Sequence, residues 1–283
     1  MKPRRMQQIR NLPQAQRFPV MAEGLEMMHE HTECLHQDFE ALFQQGRLRS
    51  AATLRAFAGE EASKVMILLD VARAGWGDQE RVQRLLGRAV YDHLSRGLYV
   101  RVYEGQPASM QEVREFVDAM RQELYLDGPN SFDWIFRNEI ESSREDLLYV
   151  DYVETEDGSY YWNSPATHER FIVDLSPTIV RVALALGRLG LLSLEGLKVT
   201  HDTWRGQVVT EHTHWQQIRQ LNLGILKAYA TRHDVNQWSE EDVSTVLEHW
   251  CFPLFDVDLR RGQVTTQELK EVRNSLIEWE FGD

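Results

Sequence analysis

The sequence predicts an all-α protein: an antiparallel helical bundle with one short β-like excursion and a helical C-terminal extension. Three observations predict it. Apolar residues return every three or four positions over long stretches, which is the repeat of a helix. Helix stops and starts punctuate those stretches, at Gly46, at Gly75 and Gly77, at Gly105 with Pro107, and at Ser109 and Ser239. Residues 149–153 and 160–162 are β-like runs rich in β-branched and aromatic residues, and they flank a turn at Glu156, Asp157 and Gly158.

Taken in order, residues 1–19 hold Lys2, Arg4, Arg5, Arg10 and Arg17 with no acid, and read as a flexible basic arm. A first helix is expected over 21–45. It carries Glu26, His29, Glu33 and His36 on one stripe. The Glu-x-x-His spacing is that of di-iron bundles, but those need the motif on two helices. Both copies here lie on one helix, so the stripe reads as a solvated face and no metal is expected. A second helix, 50–74, has a core stripe and places Glu60 four residues before Lys64, the favourable order for an ion pair.

Residues 81–101 carry five arginines, one histidine and one aspartate on what reads as a single helix. Arg88 is followed five positions later by His93. Arginine grips phosphate through two parallel hydrogen bonds, and histidine moves protons near neutrality. Five helical positions turn roughly 140° and rise about 7.5 Å, so on one straight helix the two side chains diverge. His93 falls on the apolar side with Val82, Leu86 and Ala89. Arg88, Asp92 and Arg96 fall on the polar side as i,i+4 ion pairs. A joint site requires a distortion of the helix or two copies of it meeting in a dimer.

A fourth helix is expected over 109–126, capped by Ser109 with Glu112, and a fifth runs to Leu148. Ser164 before Pro165 and Ser176 before Pro177 each announce a helix, the second ending near 187–190. Beyond Leu191, helices are expected over 211–232, 240–250 and 267–280. His201 with Asp202, and His233 with Asp234, match the dyads of helical metal-dependent phosphohydrolases, with His168 as the upstream ligand. Both dyads lie near helix ends, where they serve as caps.

The chain has 283 residues, enough for one large or two modest domains, with 42% hydrophobic and 27% charged residues. Its net charge of −13 gives no global attraction to nucleic acid, so an RNA contact must be a local patch. Two cysteines, Cys34 and Cys251, exclude a disulfide framework and suggest a reducing compartment, hence the cytoplasm. No signal peptide or uninterrupted apolar span of 18 residues is visible, so no membrane association is expected.

The order of motifs resembles a known family. The first helix ends at Gln44, Gln45, Gly46 and Arg47. The second carries Gly59, Glu60, Glu61 and Lys64, and the third Asp92, His93 and Arg96. Arg144 follows in the run to Tyr152, and then Trp162 to Pro165. This pattern, over roughly 30–175, resembles the AbiV-type branch of the HEPN superfamily, which is associated with abortive infection, the bacterial defence against phage. The resemblance implies a helical bundle, commonly dimeric, and a metal-independent ribonuclease motif matched by Arg88 and His93, with no cofactor. It implies that a dimer brings the motifs together. Glu60, Glu61 and Lys64 would support or orient them, and Arg84, Asp92, Arg96 and Arg144 would support the site or contact RNA. Ala89 stands where active relatives often carry a polar residue, and Arg96 where a lysine is frequent. The organisation read from the sequence is a basic arm (1–19), a HEPN-like bundle (20–190) and a C-terminal helical region packed on it (191–283). The expected function is a toxin-like effector that cleaves RNA, with a possible regulatory or phage protein as partner. The alternatives are a non-catalytic module binding a partner or nucleotide, and a metal-dependent phosphohydrolase.

Overall fold

Long apolar stripes decide the architecture. In the computed structural model, residues 5–122, 138–154, 159–164 and 176–263 are described, with 265, 267, 268, 271, 274 and 275. Helix α1 (Gln14–Gln44) buries Met21, Leu25, Thr32 and Phe39, a single stripe spaced for one face. Gly46, at φ +70°, turns the chain, and α2 (Leu48–Ala74) runs back along α1. Every residue from 65 to 73 of α2 is buried. A helix apolar on all sides must be covered on all sides, and α2 packs against α1 and against the helices introduced below as α4, α7 and α8.

The expected third helix is broken into three pieces. Helix α3 (Gln79–Arg84), capped by Asp78, passes into a π turn (Leu85–Ala89), and α4 (His93–Gly105) starts afresh. Asp92 causes the restart. Its carboxylate accepts from the Ser95 amide at 2.8 Å, which makes it an N-cap and leaves it outside the helix. The expected Arg88–Asp92 and Asp92–Arg96 pairs on a continuous polar face are therefore replaced. His93 is the first residue of α4 and is exposed, instead of lying on an apolar face.

Helix α5 (Met110–Met120) has the anticipated Ser109 cap, with the Glu112 carboxylate reaching back to the Ala108 amide. Helix α6 (Glu139–Leu148) is capped by Asn138, whose side-chain amide also donates to the Met120 and Gln122 carbonyls. Strands β1 (Asp151–Glu154) and β2 (Tyr160–Asn163) form the expected antiparallel hairpin, with Tyr152 opposite Trp162. The helix expected after Pro165 lies outside the described residues. Helix α7 (Thr178–Arg188) follows Pro177 as anticipated. Helix α8 (Leu194–Trp204) was not anticipated, whereas α9 (Trp215–Ala230) and α10 (Glu240–His249) match expected segments. Gln267 and Glu268 are helical where the last helix was expected to begin.

The N-terminal stretch differs from a flexible arm. Residues Met6–Asn11 form a 3-10 helix, and α1 begins already at Gln14. The Met6 amide donates to the Tyr91 hydroxyl at 2.5 Å, which docks this segment on the loop before α4.

One core unites the described residues from Met21 to Leu259. Its polar pin is Arg73, whose guanidinium lies over Trp250 at 4.2 Å and Trp204 at 5.0 Å. It donates to Asp70 at 3.2 Å and to the Cys251 carbonyl at 3.1 Å. Asp70 also accepts from the Tyr99 hydroxyl and from the Leu254 amide, each at 2.8 Å. Burial, opposed by these donors, raises the Asp70 carboxyl above its ordinary range. Through these bonds the non-helical segment after α10 is held against the bundle, with Trp250, Phe252, Leu254 and Leu259 buried.

Candidate functional site

Two clefts flank the segment between α3 and α4. The first has a volume of about 810 Å³ and gathers residues from α1, α2, α4 and α6. At its centre, Glu60 of α2 is 14% exposed and accepts three donors. The Arg144 Nε from α6 lies 2.8 Å from Oε1, while His93 Nδ1 at 3.0 Å and Arg96 Nη2 at 3.2 Å share Oε2. Glu61 pairs with Lys64 one turn on, which keeps that ammonium at the cleft wall.

Placing Asp92 outside the helix has a chemical result. His93, as N1 of α4, projects beside Glu60 while its ring stays 46% exposed. Arg96, one turn later and only 9% exposed, brings Nη2 to 2.8 Å from His93 Nδ1 and 3.3 Å from Nε2. A guanidinium can only donate. If Nδ1 carries the proton, it donates to Glu60 and leaves Nε2 a free base. When Nε2 also takes a proton, the ring becomes an imidazolium, Nδ1 still donates to Glu60, and the Nε2–H can act as an acid. Base and acid are thus the neutral and the protonated ring with Nδ1–H held by Glu60, which is what a proton shuttle requires.

Of the residues expected at the site, Glu60, Glu61, Lys64, His93, Arg96 and Arg144 come together here. Asp92 lies next to them as a cap. Arg84 and Arg88 do not join them: they line the second cleft, on the other side of the π turn, with Ser95 and the segment 254–260. Leu85, Gly87 and Ala89 face that cleft, and Val90 and Tyr91 face the first. One chain therefore separates the motif arginine from the motif histidine, as the helical arithmetic requires, and the π turn does not bring them together. Ala89 is 4% exposed and sits in the core, where a polar side chain would need a buried partner.

Sequence reasoning missed Arg5, His31 and Tyr91, which line the first cleft, and Asp258 and Arg260, which line the second. The contact between residues 60 and 144 spans 84 positions and no local pattern announces it. On α1, where the Glu-x-x-His stripe reads as a solvated face, His29 faces the Leu184 carbonyl at 3.3 Å and His36 pairs with Glu40 at 3.4 Å. His201 faces the Ala72 carbonyl at 3.2 Å, and Asp202 accepts from Arg205 at 2.8 Å. Among the described residues, no group of three metal-ligating side chains occurs, and no helix is long and apolar enough to cross a membrane.

The fold is thus a helical bundle that carries an Arg-x4-His segment, with the helix bearing Glu60 and Lys64 packed against the histidine. The AbiV family of HEPN domains matches residues 20–187, more than half of the chain, and the chain belongs to that family of abortive-infection HEPN proteins. No curated protein and no solved structure matches significantly. The matched region takes in the first cleft's helices and Arg88, and stops before the segment 254–260.

Proposed function

We propose that this protein is a metal-independent endoribonuclease, acting as a homodimer in abortive infection by cutting RNA and so arresting growth. The observation that carries the reading is the first cleft: an exposed histidine, held by a carboxylate that is itself held by two arginines. In the reaction, His93 Nε2 takes the proton from an RNA 2′-hydroxyl, and that oxygen attacks the adjacent phosphorus. The 5′-oxygen departs with a proton from a histidine, leaving a 2′,3′-cyclic phosphate and a 5′-hydroxyl. Arg96, Arg144, Lys64 and Arg5 supply positive charge near that phosphate, which the net charge of −13 does not. Arg88 of a second copy completes the site, since its own chain directs it elsewhere.

Single-stranded RNA is the substrate, because its 2′-hydroxyl can align with the neighbouring phosphate, and binding weakens with added salt. The test is cleavage of such RNA in excess chelator by wild type and by His93→Ala. Wild type should cleave, and the variant should lose on the order of 10²–10⁴-fold in rate. If purified dimer leaves RNA intact, and His93→Ala arrests growth as well as wild type, the protein is a non-catalytic interaction module instead.

A further inference from the structure

Away from both clefts, the hairpin after α6 turns aromatic side chains to water. Among the described residues nine large hydrophobic side chains are exposed. Six of them, Tyr149, Val150, Tyr152, Tyr160, Tyr161 and Trp162, lie on the hairpin or directly before it. None of the six belongs to the core or packs against it. Strand pairing gathers three rings on one face: Tyr152 stands opposite Trp162, and Tyr160 lies two positions before Trp162. The ring of Tyr152 is 5.1 Å from that of Trp162 and 5.8 Å from that of Tyr160, the latter pair stacked at 20°. A two-stranded hairpin is marginally stable alone, so a cluster of exposed rings on one marks an interaction surface. The sequence around the rings is acidic. Residues 149–163 hold Asp151, Glu154, Glu156 and Asp157, and no lysine, arginine or histidine.

We infer that this face of the hairpin docks an arginine-rich segment of another protein, with guanidinium groups laid on the rings of Tyr152, Tyr160 and Trp162. Charge decides the class of occupant. RNA would bring its phosphates to a stretch with four carboxylates and no cation. An anionic membrane surface meets the same repulsion. A second copy packed about a twofold axis would set this acidic hairpin against itself, and like charges across an interface are costly. An arginine-rich segment reverses every one of these signs. Carboxylates steer its approach, and the guanidinium plane stacks on an aromatic face, best of all on tryptophan. The rings also supply what a bare acidic patch lacks, a preference for arginine over lysine. The inference stands apart from the cleavage reaction, because none of these residues lines the first cleft.

The full-length protein is titrated by fluorescence anisotropy with labelled peptides of alternating arginine and serine, or lysine and serine, and with a 2′-O-methyl oligoribonucleotide that cannot be cleaved. The arginine peptide should bind more tightly than the lysine peptide. Trp162→Ala leaves the net charge unchanged and removes a ring that is 70% exposed and outside the core. It should weaken the arginine peptide about two- to fivefold, the worth of one exposed cation–π contact. Hydrogen exchange on the wild type, which needs no variant, should show the arginine peptide slowing amides in 151–154 and 160–163. An arginine peptide that Trp162→Ala holds as tightly as wild type, or that leaves those strands unprotected, is bound by net charge elsewhere and overturns the inference. Protection of the strands by the oligonucleotide in place of the peptide would make the hairpin an RNA surface. A wild-type dimer that Trp162→Ala turns into a monomer in sedimentation would make it an interface between copies. Either result overturns the inference too. Because no readout requires RNA to be cut, failure of the ribonuclease reading leaves this result separately legible.

Discussion

Glu60 concentrates the chemistry of the first cleft in one side chain. Its two oxygens answer three donors on two other helices, so its loss unties His93, Arg96 and Arg144 at once. Glu60→Gln preserves volume but turns an NH2 group toward arginines that can only donate. If Glu60 positions the histidine, this variant should lower kcat by up to about 10²-fold, the lower end of a general acid–base contribution, with KM nearly unchanged. A matched rise in KM with kcat intact would assign Glu60 to RNA binding instead. The sequence shows Glu60 and Lys64 at ion-pair spacing, yet the actual partner of Lys64 is Glu61. Spacing names which residues share a face, and only packing says which of them meet. Asp70 and Arg73 tell the same story: they stand three apart on one helix and pair, but the tryptophans that enclose Arg73 come from 131 and 177 residues downstream, where no local pattern points to them.

At the scale of elements, the break before α4 sets where His93 points. The apolar repeat runs on through 81–101, which is why the stretch reads as one helix. The contrary signal was present in Asp92 followed by Ser95, an N-cap pattern. Asp92→Ala should cost about 1 kcal/mol, the usual loss of an N-cap, measured by urea unfolding, and Asp92→Asn should cost less. If Asp92→Ala unfolds at the wild-type midpoint, Asp92 does not hold the break. The segment that walls the second cleft was illegible for a different reason: residues 250–263 have no helical period, and their place is set by long-range bonds such as Gly262 to the Arg121 carbonyl at 2.9 Å. Within it, hydrogen bonds from Arg260 hold the Asp258 carboxyl down at about 2. A depressed carboxyl stabilises the fold above its unfolded value, about 4, and that contribution disappears as pH falls through the folded value. The gap in urea midpoint between wild type and Asp258→Asn should therefore hold steady from pH 7 to about 4 and close as pH approaches about 2. A gap that widens on acidification would mean that the carboxylate is strained in the folded protein.

For the whole molecule, the opposed clefts would make assembly part of the mechanism under the proposed function. Arg88 and His93 line different clefts, so on that reading a chain acting alone would offer RNA a proton shuttle without its phosphate grip. In a twofold dimer with shared sites, each site takes the histidine of one copy and the arginine of the other. Arg88→Ala and His93→Ala homodimers should then both be inactive. Mixing them under conditions that allow subunit exchange forms dimers in which one site has both residues intact and the other has neither. With random exchange, half the dimers are mixed and half their sites work, so activity should recover to about a quarter of wild type. Paired residues within one chain, by contrast, would give no recovery at any mixing ratio, since every site would lack one member. Sedimentation run in parallel at tens of micromolar, roughly where an interface of standard size persists, separates the two ways of failing. A monomer there would remove the dimer itself, whereas a dimer without recovery would show that Arg88 serves only the cleft it lines.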